Sequence, residues 1–389
     1  MKKKFIGGAE CRARKVFVIA ELGTSHGADP ARAADLIEAA AEAGADCVKF
    51  QIVYAREILH PNTGEVALPG GKIRLYDRFR ELELPPSFFA DMKEKAEKKG
   101  LVFLCTPFGL QSAGELKALS PQCVKIASPE LNFSALLKEI ASWGVQTFLS
   151  AGVSKLGDIE EAMSILSPQE PPPGKAAGAV CLMHCVTAYP APETDYNLRV
   201  LESLGKIFGV PVGVSDHSLD PELVPALSAA LGAAAIEKHF CLSRSGAGLD
   251  DPIALPPDSF AAMVRAVRQA EKNSPEETLS ALRRDRGSDL VERILGDGVK
   301  RLAPSEKENY RRTNRSIHAL RDITAGETIE EGMIASLRSE KNLRPGLAPS
   351  WEAQIIGTRS AAFIPAGEGI RLQDVNFSPE TIAKKIELS

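Results

Sequence analysis

The sequence predicts an α/β protein, a (β/α)8 barrel followed by a small, mostly β module. Three observations carry that prediction. Eight short β-branched runs alternate with alanine- and leucine-rich helical stretches across residues 15–273. Polar residues gather at the C-terminal ends of those runs, where a barrel places its chemistry. Beyond residue 273 the texture turns charged and irregular, then becomes short strands among glycine and proline turns.

The runs follow in order. "VFVIAE" ends at Glu21, "CVKFQI" covers 47–52, "VFLCTP" 102–107 and "CVKIAS" 123–128. "TFLSAG" covers 147–152, "AVCLMHC" 179–185, "VPVGVSDH" 210–217 and "AIEKHF" 235–240. Between most of them lie amphipathic helices such as "DPARAADLIEAAAEAGA", in which Asp29 is placed to cap and Pro30 to open the first turn. Eight units in about 250 residues match a barrel. A doubly wound open sheet usually has fewer strands and often a glycine-rich dinucleotide loop, which "AELGTSHGAD" does not match. The expected division is a barrel over 1–273, a linker with one helix over 274–312, and a β module over 313–389. In that module "ITAGETI" and "IPAGEGI" are near-copies, which predicts internal pseudo-symmetry. "SPQEPPPGKAAG" (167–178) reads as a proline-rich surface insertion.

Composition narrows the function. The 47 lysines and arginines against 51 acids leave a formal charge of −4 over 389 residues, without the basic footprint of a nucleic-acid partner. The opening "MKKKFIGGAE" has charge but no apolar core, so no signal peptide is expected. No window approaches the roughly 20 apolar residues of a membrane span. A soluble, cytoplasmic protein is expected. The seven cysteines are odd in number and lack paired metal spacing. Cys47, Cys105, Cys123, Cys181 and Cys241 lie in or beside strand-like runs and read as buried thiols of a reducing compartment. Cys185, in "MHCVTAYP", stands apart.

Alternate residues of a barrel strand face inward, so parity can be read directly. Glu21 ends the first run. Lys49 and Gln51 share a face opposite Val48 and Phe50, and Lys125 opposes Val124 and Ile126, with Ser128 just beyond. Ser215 and His217 share a face, as do Glu237 and His239. His217 and His239 then stand side by side on neighbouring strands. They are either a divalent-ion site completed by oxygen ligands or two satisfied histidines plugging the barrel. Lys49 and Lys125 call for a nearby anion, since a lone buried ammonium is costly. The hydroxyls of Thr106, Ser128, Ser150 and Ser215 would complete a ring suited to phosphate or carboxylate. The competing reading pairs both lysines with Glu21, Glu130 or Glu237, or lets them reach outward.

The motifs "IAELGTSHGAD", "VKFQ", "CTPF", "VKIASPEL", "LSAG", "HCVTAYP", "GVSDHS" and "IEKHF" resemble, in order and spacing, those of the sialic acid (N-acetylneuraminate) synthases. "NRSIHALRDITAGETI", "LRPG" and "IIGTRSAAFIPAGEGI" are similar to that family's C-terminal antifreeze-like (SAF) domain. The resemblance spans nearly the whole chain. It implies condensation of phosphoenolpyruvate with an N-acyl hexosamine such as N-acetylmannosamine, giving a nine-carbon 2-keto sugar acid and phosphate for surface polysaccharide synthesis. By motif, His217 and His239 would hold Mn²⁺ or Mg²⁺, and Lys49, Thr106, Lys125, Ser128, Ser150 and Ser215 would bind phosphoenolpyruvate. Thr187 lies near that substrate, where the family often carries asparagine. Glu21, Gln51, Glu130, Tyr189 and Asp250 would meet the sugar or the reacting centre, and Glu21 or Glu237 would serve as general base. Arg344 would reach the sugar's acyl group in the partner subunit of a domain-swapped homodimer. Departures at Thr187, at Asp251 where a histidine is common, and after "LRPG" bear on the sugar more than on the reaction. Two other functions fit the same chain: a phosphoenolpyruvate-dependent synthase acting on another aldose, and a sugar-binding relative without turnover.

Overall fold

Eight parallel strands form a nearly closed barrel in the computed structural model, which describes residues 15–68, 71–167, 179–246 and 248–378. Cys11, the opening "MKKKFIGGAE", and the proline-rich insertion beyond Ser167 lie outside those residues. The barrel strands are β1 (Phe17–Glu21), β2 (Cys47–Ile52), β5 (Val102–Pro107) and β6 (Cys123–Ile126), then β7 (Gln146–Ser150), β8 (Val180–Cys185), β9 (Val212–Asp216) and β10 (Ala235–His239). The hydrogen-bonded ladder runs β5–β2–β1–β10–β9–β8–β7–β6. At the seam the Cys123 thiol points at the Phe103 carbonyl across 3.8 Å, so β6 and β5 lie side by side. All eight predicted runs are barrel strands.

The period of two decides what fills the wall. Ile19, Cys47, Leu104, Cys123, Phe148, Cys181, Met183 and Ala235 share the inward parity and plug the barrel below its mouth. The opposite parity, including Val18, Val48, Phe50, Val124, Leu182, Val214 and Ile236, packs beneath the surrounding helices in the main core. The first helix, Pro30–Glu42, begins as its sequence requires: Asp29 accepts from the Ala31 N–H at 2.9 Å, and Pro30 sits in the first turn. The six described cysteines are buried and free. Burial pushes the Cys123 and Cys181 thiols up to about 12, which leaves them unreactive packing groups.

Two features were not read from sequence. Between β2 and β5 the chain makes an excursion with a hairpin, β3 (Glu65–Leu68) and β4 (Gly71–Arg74), followed by a helix at Leu75–Glu81. Strands of four residues are too short to show a period. The charged segment after residue 273 carries two helices rather than one, Pro275–Arg286 and Ser288–Leu295, broken at Gly287, whose φ of 93° favours glycine. Val291, Ile294 and Leu295 join the barrel core, so this segment is part of the packed wall.

The C-terminal module pairs β11 (Arg315–Ala319) with β12 (Ile334–Arg338) antiparallel. Its core is nearly all isoleucine: Ile317, Ile323, Ile329, Ile334, Ile355, Ile364 and Ile370. The near-copies face each other. Ile323 N–H donates to the Ile364 carbonyl and Ile364 N–H donates back, both at 2.9 Å. Gly326 N–H donates to Ser360 O as Gly367 N–H donates to Ala319 O, both at 2.8 Å, and both glycines have positive φ. The module docks on the barrel mouth through Arg315. Its fully buried guanidinium donates to Glu130 (Nη2 to Oε1, 2.9 Å), to Phe108 O (2.6 Å) and to Ser336 O (3.2 Å).

Candidate active site

A cavity of about 300 Å³ opens at the C-terminal ends of the strands, roofed in part by Thr313, Arg338 and Glu340 of the C-terminal segment. Its floor is a charge cluster centred on Glu237. Oε1 of that carboxylate accepts from Lys49 Nζ, Lys125 Nζ and Ser215 Oγ, each at 2.9 Å. Lys49 also lies 3.3 Å from Glu21, to which Gln51 donates. All six come from strand ends of one parity, which is why one strand period brings them together.

Electrostatics sorts these groups. Glu237 is fully buried, but the ammonium groups of Lys125 and Lys49 outweigh that burial and hold its carboxyl below the usual range. Burial raises Glu21 to about 7, against the opposing pull of Lys49. Lys49 is raised because two carboxylates outweigh burial, whereas Lys125 is lowered by burial, which Glu237 only partly offsets. At neutral pH Glu21 is therefore part-protonated, and the cluster carries a surplus of positive charge. The Ser150 hydroxyl lines the same cavity, is buried, and has no hydrogen-bond partner among the described residues. A buried, unpaired hydroxyl in one cavity with two ammonium groups is a donor set suited to an anion.

The opposite wall is aromatic. The His217 and His239 ring centres lie 5.4 Å apart, and Tyr189 stacks on His217 at 4.3 Å. His217 Nδ1 lies 2.8 Å from the Val186 carbonyl, which can only accept, so in the neutral ring the lone pair falls on Nε2. Burial, with His217 adding to it, holds His239 well below its ordinary range and keeps it neutral. His217 is raised instead, its burial outweighed by Cys185 and the Val186 carbonyl. A divalent ion would be held by the neutral rings, through Nε2 of His217. Among the described residues no group of three His, Cys, Asp or Glu could hold one, so its remaining ligands would be water or substrate. Asp250 Oδ2 lies 3.8 Å from His239 Nδ1.

Most of the sequence-predicted residues meet here: Glu21, Lys49, Gln51, Lys125, Ser128, Ser150, Thr187, Tyr189, Ser215, His217, Glu237, His239 and Asp250 all line the cavity. Three do not. The Thr106 hydroxyl is buried and has no hydrogen-bond partner among the described residues. Glu130 sits behind the wall, bonded through Oε1 to Arg315 and to Arg338 Nη2 at 2.6 Å. Arg344 does not line the cavity and donates instead within the C-terminal module, to Asp374 at 2.8 Å and Gly369 O at 3.0 Å. Asp251 is a fully buried loop brace, accepting from Ser25 and from Gly248 N–H at 2.9 Å. Lys238 and Asp216, of opposite parity, form a 2.6 Å pair inside the wall and take no part in the cavity.

Sequence reasoning missed Glu306, Arg338, Glu340 and Tyr196. Glu306 Oε1 accepts from Val153 N–H (2.7 Å) and Thr187 N–H (2.8 Å), tying the loops after β7 and β8 together. Tyr196 Oη accepts from His217 N–H at 2.7 Å. No local pattern marks any of the four.

Comparison with known proteins places this architecture. Residues 36–278 match the NeuB family model and residues 314–376 the SAF domain. The spore coat polysaccharide biosynthesis protein SpsE of Bacillus subtilis, whose crystal structure is known, is 32% identical with a TM-score of 0.75, covering 93% of this chain and 96% of that one. The N,N'-diacetyllegionaminic acid synthase of Campylobacter jejuni is 32% identical over 84% of this chain and 91% of its own. A pseudaminic acid synthase of the same species is 31% identical over 93% and 97%. The chain belongs to the NeuB family, the group that contains the sialic, legionaminic and pseudaminic acid synthases, and carries that family's barrel with a C-terminal SAF domain.

Proposed function

We propose that the protein condenses phosphoenolpyruvate with the open-chain form of an N-acyl hexosamine, giving a nine-carbon 2-keto sugar acid and inorganic phosphate. The observation that carries this reading is the pair of lysines on Glu237, which shares one cavity with the two imidazoles of His217 and His239. Lys49, Lys125, Ser128, Ser150 and Ser215 bind the phosphate and carboxylate of phosphoenolpyruvate, with Glu237 giving up part of its hold on the lysines as the anion enters. Thr106 supports that ring from behind. His217 and His239 would hold Mn²⁺ or Mg²⁺, which as a Lewis acid polarises the sugar aldehyde. Tyr189, Gln51 and Asp250 orient the sugar beside it. The enol carbon–carbon pair of phosphoenolpyruvate attacks the aldehyde carbon, the aldehyde oxygen takes a proton, and water adds at the carbon bearing phosphate. Glu21, held near 7, can accept the proton that this water loses. The phosphate then leaves with its bonding pair and takes up the proton of the remaining hydroxyl, which becomes the 2-keto oxygen, the charge of the phosphate being met by the lysines.

The SAF domain belongs to the same reading. Arg344 does not line the cavity of its own chain, whose mouth the module of that chain covers. Its role in acyl-group binding would be exercised on a partner subunit, as a domain-swapped homodimer would allow. The chemistry places the protein among biosynthetic enzymes, and no helix among the described residues is long and apolar enough to cross a membrane.

The test is phosphate release from phosphoenolpyruvate with Mn²⁺, with and without chelator, in the presence of an N-acyl hexosamine. Chelator-sensitive release is expected, and His217→Ala or His239→Ala should lower it by about a thousandfold or more without unfolding the protein. Turnover undiminished in either variant would remove the metal assignment.

A further inference from the structure

The cavity has a third region, across the barrel from the histidines, that the phosphoenolpyruvate chemistry does not use. It is walled by Val53, Ile58, Leu75, Phe79 and Phe108, contributed by the excursion after β2 and the end of β5. These residues belong to a separate apolar cluster, distinct from the main core and from the barrel plug. The excursion therefore packs a small hydrophobic core of its own against the substrate cavity. An apolar wall that faces a cavity rather than a neighbouring element is a place for an apolar ligand group.

Charge points the same way. Arg338 is the one cation lining this end, and its guanidinium is already committed: Nε and Nη2 both donate to Glu130 Oε1, at 3.1 and 2.6 Å. Arg315 shares that carboxylate oxygen, and the face of Phe108 covers the Arg338 guanidinium at 5.4 Å. Glu340 also lines the cavity here. Two guanidinium groups are thus set against Glu130 and beside Glu340, whose carboxyl burial pushes up, and neither guanidinium is free to meet an anion. The phosphoenolpyruvate end has the contrary make-up, with two ammonium groups and an unpaired hydroxyl.

We propose that this end receives an uncharged, apolar terminus of the sugar, a methyl or acyl group, and that Glu340 together with the apolar wall turns away a sugar phosphorylated at that terminus. The inference rests on the nonulosonate synthase reading and narrows its substrate class. Moving a phosphate dianion from water against Leu75, Phe79 and a carboxylate would lose its hydration without a partner. A methyl or acetamido methyl placed there is removed from water instead, which favours its binding.

The experiment measures kcat/KM for phosphate release with three sugars: N-acetylmannosamine, its terminal phosphate monoester, and a diacetamido trideoxyhexose with a methyl terminus. The methyl-ended sugar is expected to be used best, and the phosphorylated one at least about tenfold less well than N-acetylmannosamine. Two variants with unchanged melting temperature test the wall. Phe79→Ser should lower the preference for the methyl-ended sugar, and Glu340→Lys should raise use of the phosphorylated sugar about tenfold. Preference of the wild-type protein for the phosphorylated sugar, or selectivity unmoved by both substitutions, would overturn this inference alone. Absence of release with all three sugars, from protein shown to bind phosphoenolpyruvate by titration calorimetry, would overturn the synthase reading and this inference with it.

Discussion

Gly152 sits where a side chain has no room. A methyl on its Cα would collide with the Thr187 hydroxyl and stand 2.9 Å from Ser128 Oγ, which accepts from the Gly152 N–H at 3.0 Å. Both hydroxyls line the cavity, so Gly152→Ala is expected to spread the anion-binding groups and raise KM for phosphoenolpyruvate about tenfold or more, with a smaller effect on KM for the sugar. Equal changes in both would mean a general loss of packing instead. Glu21 supplies a second prediction at this scale. Its folded-state value of about 7 lies above the ordinary 4.5, so the folded protein holds this proton more tightly than the unfolded chain does. Its contribution favours folding below about pH 4.5 and is lost as pH rises through about 7. Melting temperatures measured across that window should fall less steeply with pH in Glu21→Gln than in the wild type; an unchanged slope would show that another group carries the limb. The residues that were legible in the sequence share one property. Lys49, Gln51, Lys125, Ser215, His217, Glu237 and His239 follow from strand parity, which is local. Glu306 and Tyr196 brace the same loops, but each acts on a residue far along the chain, and no period encodes that.

At the scale of elements, the short turn after β6 is the joint between barrel and SAF domain. Glu130, fully buried, holds Arg315 of β11 and Arg338 of β12 with one oxygen, while Ser128 two residues earlier reaches the cavity. Glu130→Gln leaves two guanidinium groups facing a neutral amide in a water-poor site. A loss of about 3–5 kcal/mol is expected in denaturant unfolding, since breaking one side of a buried ion pair strands the other. A loss below about 1 kcal/mol would mean that backbone carbonyls alone satisfy Arg315. The elements themselves were largely readable: eight strands, the capped first helix and the repeated "AGE" turns all announce themselves within a few residues. The hairpin after β2 and the division of the linker at Gly287 were not. Four-residue strands and a charged amphipathic stretch look like loop until packing gives them a face.

For the whole molecule, the SAF domain is expected to be part of the enzyme rather than an appendage. A chain ending at residue 312 lacks Thr313, Arg338 and Glu340 from the cavity and leaves Glu130 without its guanidinium partners. No turnover is expected from it, and a fully active fragment would contradict the role given to the domain. In the intact chain, Arg344→Ala should raise the sugar KM about tenfold, and the wild type should sediment as a dimer. A monomer turning over at full rate would refute the exchange of domains between subunits. One consequence of the ladder order concerns the growing chain on the ribosome. β1 finds its partner in β10, with Phe17 opposite Ala235 and Glu21 opposite His239. Until the last barrel strand has emerged, Lys49 and Lys125 have been synthesised without Glu237, and the first strand has one bare edge. A nascent chain halted between β9 and β10 would therefore keep its ammonium groups in water and its edge open to chaperones, and the site would come into being in the same event that closes the barrel.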